Sequence, residues 1–170
     1  DLNQVRYVEK GKTQQIGDFT VTPFAVPHDS SDCVGYCVQC EGITFTLVTD
    51  CGHVTEEICA FVAKANYLVI EANHEVEKLM AGPYPLYLKE RITSQIGHLS
   101  NAECARTIVE NATENLKHVW LCHLSDENNH PELARIAVTS LMESYGLRAG
   151  VDFIVEVLRR KIPSEIYDLK

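Results

Sequence analysis

The sequence predicts an α/β fold over residues 1–170, read as one unit, and three observations carry that reading. Runs rich in β-forming residues come first: Phe19–Val26 alternates apolar and polar positions, and Val34–Cys40 and Ile43–Val48 follow it. From Tyr67 onward, short buried strands alternate with capped helical segments. Neither an internal repeat nor a linker divides the chain, so these elements are expected to share one core.

Each element has a local reason. Phe19–Val26 ends at Pro27, which cannot donate to a strand ladder, and Glu41-Gly42 is a turn signal that joins the next two strands as a hairpin. Thr55 is placed to cap a short helix through about Ala63, and Tyr67–Glu71 then reads as a buried strand. His74–Met80 has helical spacing, Gly82-Pro-Tyr-Pro85 breaks it, and Leu86–Thr93 resumes it. Ser100 with Glu103 forms a capping box for a helix to about Asn111. His118–Cys122 is a strand, Pro131 opens a helix ending near Gly146, and Val151–Leu158 closes the unit as a strand. Arg159–Lys170 is a polar tail with no defined element.

Composition narrows the function classes. The chain has 170 residues, 45% hydrophobic and 23% charged, which suits a globular domain and excludes collagenous or low-complexity chains. Apolar stretches such as Tyr67–Ile70 and Val119–Cys122 are far shorter than the roughly 18 residues of a membrane span, so a soluble protein without a membrane partner is expected. Fifteen Lys and Arg against 24 Asp and Glu give a net charge of −9, which provides no overall basic field for a polyanion. A polyanionic substrate would need a local device such as metal ions. The seven cysteines, odd in number and set in apolar segments, read as reduced cytoplasmic thiols rather than a disulfide framework.

His28, Asp50 and His123 each follow a strand, and strand ends are where α/β folds gather site residues. Two imidazoles and a carboxylate suit Zn, Mn or Fe, although their sequence spacing fits no local metal motif and scattered loop polar residues would look the same. Glu71, Asn73 and His74 follow the Tyr67–Glu71 strand and reach the same rim. Glu71 could hold an imidazole by a hydrogen bond, and Asn73 or His74 could contact substrate phosphate or sugar. Lys89 and Arg91, near Tyr84 and Tyr87, make a small cationic and aromatic patch suited to a single strand, or equally a solvated helix face. Cys33, Cys37 and Cys40 cannot converge on a metal from one strand without a bulge. His53, His118 and His130 read as structural or exposed.

The wording around these residues is more specific. Val26-Pro-His-Asp29, Thr49-Asp-Cys-Gly52, Val69-Ile-Glu-Ala-Asn-His74, Gly97-His-Leu-Ser100 and Leu121-Cys-His-Leu-Ser125, in this order, resemble the later motifs of the metallo-β-lactamase superfamily. The match is closest to its YycJ-type (WalJ-type) members, through His74-Glu-Val-Glu-Lys-Leu-Met80, Gly82-Pro-Tyr-Pro85 and Ser125-Asp-Glu-Asn-Asn129, and it runs from about Phe19 to about Gly146. The resemblance implies an αββα sandwich in which His28 binds one divalent ion, Asp50 bridges two, and His123 binds the second. The family's His-x-His-x-Asp-His run, which supplies four further ligands, is absent, and Asp1–Asp18 contains no His. The chain is therefore expected to be the C-terminal portion of a longer enzyme, and to expose an apolar sheet face or associate with itself.

His98 lies in a Gly-His element that also resembles that of tRNA 3′-processing ribonucleases in the same superfamily, where the histidine is a proton donor near the scissile phosphate. Histidine's ordinary titration near neutrality suits protonation of a leaving alkoxide, while capping of the Ser100 helix is the plainer alternative. The expected function is a metal-dependent phosphodiester hydrolase, a nuclease acting on nucleic acid, with His98 and Asp50 as its catalytic residues and two Zn or Mn ions in the intact parent. The alternatives are hydrolysis of a small phosphodiester, and a metal-free truncated module: the 170-residue chain is itself expected to bind metal weakly or not at all and to be inactive.

Overall fold

The computed structural model describes residues 5–170. Seven strands form one sheet in sequence order: β1 (Gln14–Ile16), β2 (Phe19–Ala25), β3 (Val34–Cys40), β4 (Ile43–Val48), β5 (Tyr67–Glu71), β6 (His118–Cys122) and β7 (Ile154–Val157). The helices are α1 (Glu56–Lys64), α2 (Val76–Ala81), α3 (Leu86–Ile92), α4 (Asn101–Asn111) and α5 (Pro131–Ser144). β1 to β4 pair antiparallel, whereas β4 to β7 pair parallel. β2 and β4, both antiparallel to β3, therefore run in the same direction as β5 and β6. The carboxyl ends of β2, β4, β5 and β6 all emerge at one edge, and the candidate site lies there.

The caps form as expected: the Thr55 hydroxyl accepts from the Ile58 amide, and Ser100 and Glu103 complete a reciprocal capping box. Pro131 occupies the first turn of α5. Two departures from expectation have an identifiable local cause. β1 is an extra strand, too short and too polar to show periodicity, made possible by a hairpin at Gly17 with φ of 61°. Val151 and Asp152 turn rather than extend, because the Asp152 carboxylate accepts from the Arg148 amide at 2.6 Å and delays β7 to Ile154.

One sheet face and the helices α1, α4 and α5 enclose the core, which includes Phe24, Val48, Ile58, Leu68, Ile70, Ile108, Leu121, Val138 and Met142. The opposite face presents Val21, Val38, Phe45 and Val69, each only half-buried. Tyr167 of the tail packs edge-on against Trp120 of that face, with ring centroids 4.7 Å apart, and the Tyr67 hydroxyl donates to the Lys170 carbonyl. No helix among the described residues is long and apolar enough to cross a membrane.

Gly35 of β3 is required by packing. A Cβ there would sit 2.4 Å from the ring of Phe24, which is fully buried and stacked on Phe61 at 4.3 Å. Gly35→Ala should lower the free energy of unfolding by about 1–3 kcal/mol, the usual effect of overpacking, as read from the midpoint of denaturant unfolding.

Candidate active site

Three loops at the sheet edge pack backbone against backbone. The Gly52 amide donates to the Pro27 carbonyl at 2.7 Å, and the Asp29 amide to the Ile96 carbonyl at 3.0 Å. A Cβ at Gly52 would lie 2.5 Å from the Gly97 nitrogen, and one at Gly97 would lie 2.2 Å from the Ile92 carbonyl oxygen. Only glycine permits these approaches, which draw together the segments after β2, after β4 and before α4.

His28, Asp50 and His123 come together at this edge. Asp50 Oδ1 is the common point, 3.7 Å from His28 Nε2, 3.6 Å from His123 Nδ1 and 3.9 Å from His98 Nδ1. Asp50 and His123 both adopt left-handed backbone, with φ of 53° and 54°. Such a conformation costs a non-glycine residue on the order of 1–3 kcal/mol, and strain of this kind clusters at functional sites.

The imidazoles are oriented by neighbours. His28 Nδ1 donates to the Gly97 carbonyl at 2.9 Å, which turns Nε2 toward Asp50. His98 Nδ1 donates to Glu71 Oε1 at 2.7 Å. Glu71 is fully buried, and its second oxygen accepts from the Cys51 amide at 3.0 Å while lying 3.6 Å from His123 Nδ1. Burial alone would push the Glu71 pKa up, but its bonding to His123 and His98 outweighs this and holds it below the ordinary carboxylate value. The same carboxylate raises the pKa of His123. Sequence reasoning offered Glu71 as a support for one imidazole; its reach to two histidines and a backbone amide depends on the fold.

Asn73 and His74 lie inside the protein rather than on the rim, 8% and 1% exposed. The Asn73 amide donates to the His123 carbonyl at 2.9 Å and so braces the left-handed turn. Burial lowers the His74 pKa. Their position after β5 predicts contact with substrate; in the structure both side chains are buried. The Asn-Asn element is structural too: Asn129 and Asn101 exchange reciprocal amide hydrogen bonds, and Asn129 donates to the Ala72 carbonyl at 2.8 Å.

The donor set fits divalent metal. Ligand atoms about 2.0–2.2 Å from a tetrahedral ion lie roughly 3.4 Å from one another, close to the spacings around Asp50 Oδ1. Asp50, Glu71, His98 and His123 each offer a ligand atom within 4.8 Å of the others, and His28 Nε2 joins them through Asp50. Cys51 and Cys122, next to this cluster, have thiols pushed up to about 12 by burial and by Glu71. Iodoacetamide at pH 8 should therefore label the half-buried Cys33, Cys40 and Cys59 well before Cys51 or Cys122, as peptide mass mapping would show.

A family profile described as Beta-lactamase superfamily domain matches residues 2–123. The chain is 35% identical over 156 residues to exodeoxyribonuclease YycJ of Bacillus anthracis, covering 92% of this chain and 59% of the relative. It is 38% identical over 155 residues to exodeoxyribonuclease WalJ of Streptococcus pneumoniae, covering 91% and 58%. The chain thus spans about three-fifths of the length of these curated relatives. Among solved structures, the metallo-beta-lactamase fold protein YhfI from Bacillus subtilis superimposes with a TM-score of 0.63 at 16% identity, over 89% of this chain and 51% of that one. Zn(2+)-bound PqqB from Methylobacterium extorquens does so with 0.56 at 18% identity, over 88% and 49%. At such identities the likeness concerns the fold.

Proposed function

Because this chain belongs to the Beta-lactamase superfamily and has the metallo-β-lactamase fold, we propose that the protein is a metal-dependent phosphodiesterase acting on nucleic acid, DNA in the first instance. The observation that carries this reading is the buried Glu71–His98 pair at 2.7 Å, set within 3.9 Å of Asp50. An imidazole tethered by a fully buried carboxylate beside a metal-binding donor set suits a general acid for phosphodiester cleavage. The names of the YycJ and WalJ relatives support DNA as substrate.

In this reading His28, Asp50 and His123 would hold the divalent ions. When bound, such ions lower the pKa of water to yield a nucleophile at neutral pH and neutralise phosphate charge. Glu71 fixes the His98 ring through Nδ1 and leaves Nε2 as the nitrogen that gives its proton to the leaving oxygen. Asn73, through the His123 carbonyl, keeps that ligand in register. A cytoplasmic location accompanies this reading, supported by cysteines that are all free.

The test is cleavage of an end-labelled single-stranded oligodeoxynucleotide by the intact, metal-loaded protein. Stepwise loss of terminal nucleotides that stops on chelation is expected; absence of cleavage with Zn, Mn or Mg sinks the proposal.

A further inference from the structure

The cationic and aromatic patch legible around α3 is rearranged by the structure. Lys89 leaves it, because its ammonium donates to the Met80 and Gly82 carbonyls at 2.7 and 2.8 Å and ties α3 to the end of α2. Arg91 remains and is fixed. Its Nε and Nη2 donate to the two oxygens of Asp29, at 2.5 and 2.9 Å, a bidentate fork that also holds the Asp29 pKa below the ordinary value. Asp29 Oδ1 in turn lies 3.5 Å from His28 Nε2. One carboxylate therefore fastens the guanidinium to the rim of the candidate active site.

Two of the five guanidinium N–H groups are used in the fork, three stay available, and the side chain is 54% exposed. One turn earlier on the same helix face stands Tyr87, 72% exposed. A planar donor and an exposed aromatic ring, side by side at the edge of the metal-binding cluster, match the two repeating parts of a nucleic acid strand.

We propose that Tyr87 and Arg91 form a binding ledge for single-stranded nucleic acid, with the ring stacking on an unpaired base and the guanidinium donating to a backbone phosphate near the scissile one. This rests on the nuclease reading and specifies how the strand is presented to it. Because the chain carries a net charge of −9, a strand gains little from the overall field and must be held by local, directional contacts. Stacking on tyrosine is tolerant of base identity but requires the base to be out of a duplex, so the ledge favours single strands over paired ends.

The experiment uses the metal-loaded, intact protein and a cleavage-resistant phosphorothioate oligothymidylate bearing fluorescein, followed by anisotropy. Tyr87→Ala should weaken binding about 5- to 150-fold, the value of one base stack, and Tyr87→Phe should restore it. Arg91→Lys should weaken binding as well, because an ammonium cannot keep the fork to Asp29 while donating to phosphate. In parallel, hydrolysis of bis(p-nitrophenyl) phosphate, which has no base to stack, should fall less than about twofold in Tyr87→Ala. Unchanged oligonucleotide binding in Tyr87→Ala, equal binding of blunt duplex and single strand, or a matching loss on the small ester would each overturn the ledge. Wild-type protein that binds the oligonucleotide through Tyr87 yet hydrolyses neither substrate would instead count against the nuclease reading while leaving the ledge standing.

Discussion

Replacing Asp50 should cost the protein its divalent ions and with them at least about 10³-fold in phosphodiester hydrolysis. Asp50 Oδ1 is the point on which His28, His98 and His123 converge, so removing the carboxylate would take a ligand from the centre of the proposed metal site. Ions in such sites supply several kcal/mol to the transition state, and each 1.36 kcal/mol is about tenfold in rate. The informative variant is Asp50→Asn. The residue sits at φ 53°, where Asn is tolerated almost as well as Asp, whereas Ala would add backbone strain and confound loss of metal with loss of fold. Metal content by plasma mass spectrometry, set beside the thermal unfolding midpoint, separates the two. Full metal retention in Asp50→Asn would show that the ions are held elsewhere, with Glu71 and His98 the nearest alternatives.

His98→Ala should leave the metal in place and slow DNA cleavage by about 10²–10⁴-fold, the range for loss of a general acid. The defect should nearly vanish on bis(p-nitrophenyl) phosphate, whose leaving group departs without a proton. Glu71→Gln offers a graded companion: Gln can still accept from the Cys51 amide, but it loses the charged oxygen that orients the His98 ring. Its effect should follow the same substrate dependence, with a smaller loss than His98→Ala on DNA and little change on the nitrophenyl ester. If His98→Ala instead strips metal, or impairs both substrates alike, His98 is a ligand or a structural residue. The Nδ1–Glu71 bond would then serve metal binding.

Together these variants distinguish carboxylates that stand close in space. Asp50 is partly open to solvent, whereas Glu71 is wholly buried and already bonded to protein donors. The first is free to meet an ion. The second already accepts from the Cys51 amide and from His98.

The sequence by itself determined the elements whose cause is local. β3, β4, β5 and β6 begin and end where apolar alternation or a buried run begins and ends, and the Thr55 and Ser100 caps act across only three residues. The positions of His28, Asp50 and His123 after strands were legible for the same reason. β1 was not, because three residues are too few for a period, nor was the turn at Val151, which rests on one carboxylate. Tertiary structure alone decided the site. Strand order and direction bring the carboxyl ends of β2, β4, β5 and β6 to one edge, and three loops approach so closely that Gly52 and Gly97 admit no side chain. That closeness buries Asn73 and His74, gives Glu71 two histidines at once, and pairs Arg91 with Asp29 instead of solvent. Those contacts join residues 27 to 62 positions apart, a range over which periodicity and capping carry no information.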